Sequence, residues 1–95
     1  TYLAVAALLA GMYLGIEGEL VAPDPIAGNA WVEDEGKPSL PGHMADAISR
    51  FSLSEGVRRT LSSEFQSAFS ELKTQELLEF ERRVTDFELE TYLSI

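Results

Sequence analysis

Apolar positions divide the chain into stretches of different character. From Thr1 to Ile16 (TYLAVAALLAGMYLGI) no residue is charged, and apolar side chains fall on every side of a 3.6-residue helical period. From Met44 onward they recur at three and four residues: Met44, Ala47, Ile48 and Phe51, then Leu61, Phe65, Phe69, Leu72, Leu77, Phe80 and Val84. Between these stretches Pro23, Pro25, Gly28, Gly36, Pro38, Pro41 and Gly42 forbid a long helix or a central strand. The pattern predicts an all-α chain, with a buried apolar helix over 1–18, a long loop over 19–42 and a helical segment over 43–95.

The uncharged stretch admits three readings. A membrane-spanning helix needs about 20 apolar residues, and Glu17 and Glu19 end this run at Ile16 with no Lys or Arg to anchor either side. A secretory signal needs a basic segment ahead of the apolar one, and the first basic residue is Lys37. The third reading, a helix enclosed by protein on all sides, fits best. Gly11 and Gly15 have the spacing of a membrane dimer motif, read here as a surface for close packing. A chain of 95 residues buries little more than about 60% of its unfolded surface, too little to enclose such a helix. The chain is therefore expected to be an obligate oligomer or part of something larger, with the faces around Gly11 and Gly15 against another copy.

A second helix is predicted from His43 to Phe51. Ser52 and Glu55 have capping-box spacing and start a short helix with Val57 and Leu61 inward and Arg58 and Arg59 outward. That arginine pair could grip a phosphate or carboxylate, or balance nearby acids. An amphipathic helix follows over 63–84, its polar side carrying Glu64, Gln66, Glu71, Lys73, Thr74 and Glu81, with Leu78 off the apolar stripe. Glu79 and Arg83 form an acid-to-base pair in the stabilising order. Thr85 and Glu88 repeat the capping-box spacing, so the chain bends near Thr85. Phe87, Leu89, Tyr92, Leu93 and Ile95 make an apolar chain end that calls for a partner.

Charge and composition narrow the function classes. Sixteen acidic against seven basic residues, net −9, disfavour nucleic acid and anionic membrane surfaces as partners. The absence of Cys removes thiol chemistry and fits a cytoplasmic protein. His43, the one histidine, reads as a polar residue at a helix entry, and Glu33, Asp34 and Glu35 as a solvated acidic run without calcium-loop spacing. Trp31 reads as a loop anchor. No catalytic, cofactor-binding or metal-binding set emerges from the residues present.

The segments YLAVAALLAG, LGIEG, APDPIAGNAW, LPGHMADAI and RRVTDFELETYL, in this order and spacing, resemble the C-terminal part of the glutamine synthetase family. The similarity is greatest to the bacterial glutamine synthetase and gamma-glutamyl-polyamine ligase group, and it runs from Tyr2 to Leu93. It implies a ligase that uses ATP and Mg or Mn to phosphorylate the glutamate side-chain carboxylate, after which ammonia or an amine displaces phosphate. It also implies that the metal-binding and phosphate-binding residues lie on a catalytic sheet upstream of this chain, which would then be inactive alone and structural in role. Thr1 stands where the family usually has Pro.

The resemblance further implies that Asn29 and Trp31 belong to a loop bordering the active site. In type I enzymes of some bacteria a tyrosine in that loop is adenylylated, and Trp31, in GNAWVED, holds its place and cannot accept the nucleotide. In those enzymes the C-terminal segment joins two stacked rings, a contact that Phe87, Tyr92 and Leu93 would make here. The implied partners of the chain are its own catalytic sheet and neighbouring subunits. The alternative from another class is a complete helical interaction module, a homodimer without enzymatic activity.

Overall fold

The computed structural model describes residues 1–29 and 39–93. Five helices follow in order: α1 (Tyr2–Glu17), α2 (Met44–Leu53), α3 (Glu55–Leu61), α4 (Ser63–Glu81) and α5 (Asp86–Leu93). No strand occurs among the described residues. The fold is all-helical, as the apolar spacing predicts.

Helix α1 forms because Ala, Leu and Met favour helix and nothing in Tyr2–Glu17 breaks it. It closes through Gly18 N–H to the Leu14 carbonyl at 2.9 Å and Leu20 N–H to the Gly15 carbonyl at 3.0 Å. The left-handed residue of that turn is Glu19, at φ 48°, and not the neighbouring Gly18. A side chain in that region costs about 1 kcal/mol relative to glycine.

The packed centre of the molecule lies between α2 and α4. The Phe51 ring sits 5.2 Å from that of Phe69 and 6.5 Å, edge-on, from that of Phe65, while Phe65 and Phe69 stack at 5.6 Å. All three rings are half-buried. Among the described residues the one that is buried is Gln66, whose Nε2 donates to the carbonyls of Phe51 at 2.7 Å and Ser54 at 2.8 Å. This corrects the assignment of Gln66 to the solvated side of α4. Those carbonyls belong to the α2–α3 junction, and a buried amide is stable there because it is hydrogen-bonded.

Two further expectations change. The cap of α3 is Ser54, whose hydroxyl accepts from Val57 N–H at 3.2 Å, whereas Ser52 turns back and donates to the Ser49 carbonyl. Helix α2 accordingly runs two residues past Phe51. The predicted apolar stripe is covered only in part. Leu61, Phe65, Phe69 and Leu77 are half-buried, but Leu72, Phe80 and Val84 are exposed, and α4 ends at Glu81.

Helix α3 joins α1 to this centre. Leu14 Cδ1 lies so near Gly56 that an added Cβ would stand 2.9 Å from it, and Arg59 pairs with Glu17 at 2.9 Å. A single residue, Ser62, links α3 to α4 at φ 75°, ψ 155°, a region nearly restricted to glycine. Its hydroxyl offsets part of that strain by capping Phe65 N–H at 3.3 Å. At the other end Thr85 and Glu88 form the anticipated capping box, with Glu88 Oε2 accepting from Thr85 N–H at 2.7 Å and Thr85 Oγ1 from Glu88 N–H at 3.3 Å.

No buried apolar side chain exists among the described residues. The accessible surface is 8403 Å², against about 5,400 Å² expected for a compact monomer of this mass. On α1, Leu8 is 70% exposed, Met12 63% and Ile16 77%. The helix that the sequence marks as interior lies largely open.

Candidate functional site

No catalytic constellation is assembled among the described residues. Among them no group of three or more His, Cys, Asp or Glu side chains could hold a metal ion, and no helix of the described residues is long and apolar enough to cross a membrane.

Asn29 is exposed and follows Gly28, whose φ of 105° takes the chain through a conformation suited to glycine. Trp31 and the acidic run Glu33, Asp34 and Glu35 lie outside the described residues. His43 is exposed and precedes α2 in extended conformation without capping it.

Both arginines of α3 are taken up by acids. Arg58 reaches Glu55 at 3.2 Å and Arg59 reaches Glu17, so the balancing role describes the pair and the anion grip does not. A groove of about 530 Å³ between α1 and α3 is lined by Ala6, Leu9, Ala10, Tyr13, Arg59, Thr60 and Leu61. A smaller apolar cleft of about 230 Å³ lies between α2 and α4, with Met44, Ile48, Phe51 and Phe69 on its walls. Lys73 closes one side, its Nζ over the Phe69 ring and paired with Glu76 at 2.7 Å. The Ser70 hydroxyl on that wall is buried without a hydrogen-bond partner.

Of the residues expected to make contacts, Gly11, Phe87, Tyr92 and Leu93 are exposed and Gly15 is half-buried. A Cβ added at Gly11 or Gly15 would meet nothing within 4 Å, so neither glycine serves an internal contact. Gly56 does, although nothing in the pattern of a seven-residue helix distinguishes it. Phe87, Tyr92 and Leu93 are exposed on α5. At the start of α5 the Thr85 N–H, and then its hydroxyl, hold the Glu88 carboxyl below the usual carboxylate range. The Glu64 carboxyl is lowered similarly in the first turn of α4, by backbone hydrogen bonding and then by Ser62 and Ser63.

Comparison with known proteins adds what the geometry lacks. The chain is 37% identical over 92 residues to the gamma-glutamylputrescine synthetase of Escherichia coli, covering 97% of this chain and 19% of that protein. It is 38% identical over 96 residues to a glutamate–isopropylamine ligase from a Pseudomonas species, covering 99% and 21%. With the glutamine synthetase of Methanococcus voltae the identity is 29% over 100 residues, covering 99% and 22%. The chain thus spans about a fifth of the length of these curated relatives. No solved structure matches it. Residues 1–92 match the family described as the glutamine synthetase catalytic domain, and the chain belongs to that family.

Proposed function

We propose that this chain is the C-terminal helical part of an ATP-dependent ligase that forms an amide on the glutamate γ-carboxylate with ammonia or an amine. The observation that carries the reading is the family match over residues 1–92. In this reading ATP, Mg or Mn and the catalytic carboxylates belong to a longer protein, and these helices contribute shape. Helix α1 packs against the catalytic sheet, the loop with Asn29 and Trp31 borders the site, and α5 reaches a neighbouring subunit through Phe87, Tyr92 and Leu93. The exposure of the apolar side chains on α1 and α5 supports such roles. An amine substrate is favoured over ammonia because the amine-ligating relatives named above share 37% and 38% identity, against 29% for the glutamine synthetase.

The test is an assay of the longest natural polypeptide containing these residues, with glutamate, ATP and Mg, and with ammonium, putrescine or isopropylamine in turn. Phosphate release coupled to a γ-glutamyl amide is the expected result. Absence of ATP-dependent amide formation with every amine would overturn the ligase reading.

A further inference from the structure

We propose that Ser62 is a strained release point, at which α3 detaches from α4 and uncouples α1 from the α2–α4 pair while those two helices stay folded. The inference rests on the backbone and its hydrogen bonds and does not depend on the ligase reading.

Three observations converge on α3. Ser62, its exit, stands at φ 75°, ψ 155°, where a Cβ is crowded and a glycine would not be. Detachment frees Ser62 to move to negative φ, so the strain raises the attached state and favours opening. The helix itself has seven residues, fewer than an isolated helix needs to persist in water, and Gly56, Val57 and Thr60 are weak helix formers. Its apolar contacts are thin, since Val57 and Leu61 are only half-buried. A segment with strain at its exit, weak propensity and little apolar burial lies at the low-stability end of a structure.

The bonds that hold α3 in place are concentrated at Gln66. Its backbone N–H donates to the Ser62 carbonyl at 3.1 Å, and its Nε2 reaches the Phe51 and Ser54 carbonyls ahead of the first turn. One residue therefore ties both ends of α3 to α4. The contact between α2 and α4 does not pass through α3, because the Phe51, Phe65 and Phe69 rings meet directly. Helix α1, by contrast, packs on α3, with Leu14 against Gly56 and Glu17 paired with Arg59. Opening at Ser62 thus loosens α1 and leaves the phenylalanine cluster intact.

The test is peptide-resolved hydrogen exchange on the longest natural polypeptide containing these residues, with Ser62, Ser62→Gly and Ser62→Val compared. Glycine removes the strain, and β-branched valine increases it. Exchange of the α3 amides is expected to slow about fivefold in Ser62→Gly, the lower end of the effect of such a position. It is expected to quicken in Ser62→Val, with the amides of α2 and of α4 beyond Phe69 unchanged in both. Ser62→Gly introduces no side chain, so it decides the matter even if the valine chain fails to fold. Equal α3 exchange with serine and glycine overturns the proposal. Slowing by the same factor in α2, α3 and α4 also overturns it, since the strain then acts on unfolding of the whole helical set and not on a local release.

Discussion

Gln66, the most enclosed of the described residues, makes two hydrogen bonds, to Phe51 O and Ser54 O. Each carbonyl also accepts a backbone N–H, from Ser54 and Arg58 respectively, so removing the amide leaves neither without a partner. Gln66→Ala is therefore expected to cost about 1–2 kcal/mol, read from the urea midpoint. Glu88 gives a pH dependence of defined sign. Its carboxyl is lowered below the usual range, so the capping bonds contribute above that range and are lost as pH falls through the lowered value. Amide exchange at the start of α5 should quicken on acidification, and Glu88→Gln should remove most of that response. The Thr85–Glu88 cap was legible because both partners sit within one turn. Gln66 was not, since its neighbours Glu64, Glu71 and Thr74 are solvated and only the distant α2–α3 junction makes its position buried.

At the scale of elements, α1 and α3 depend on a contact between residues far apart in sequence. A Cβ at Gly56 would press on the flexible end of Leu14, which can give way. Gly56→Ala is expected to be neutral or stabilising by up to about 1 kcal/mol, since alanine favours helix over glycine. Gly56→Leu is expected to part the two helices and expose Glu17 and Arg59 to separate solvation, seen as faster amide exchange in α1 with α2 and α4 unchanged. Phe69 touches both other rings of the central cluster. Phe69→Ala should cost about 2 kcal/mol, less than for a fully buried ring because the cluster is half-open. Helix existence was readable from periodicity, and α1, α2 and α5 fall close to where the spacing put them. The covered length of α4 was not readable, because a stripe of apolar residues specifies a face but not which part of it finds a neighbour. The Ser54 cap was missed because Ser52 and Ser54 both precede a helix and only geometry separates them.

The whole molecule is a small set of helices around a half-open phenylalanine cluster, with α1 tied to it by α3 and α5 set off beyond the Thr85 cap. That openness agrees with a chain matching about a fifth of the length of its relatives. The order of five short segments made the family legible. The active-site border stays an expectation drawn from the family resemblance alone, and Trp31 lies outside the described residues. The most direct measurement compares ATP-dependent γ-glutamyl amide formation by the longest natural polypeptide containing residues 1–95 with that of the 95-residue chain alone. Turnover by the longer protein and none by the chain is the predicted result. Turnover by the chain alone, or none by the longer protein with any amine, would contradict the account.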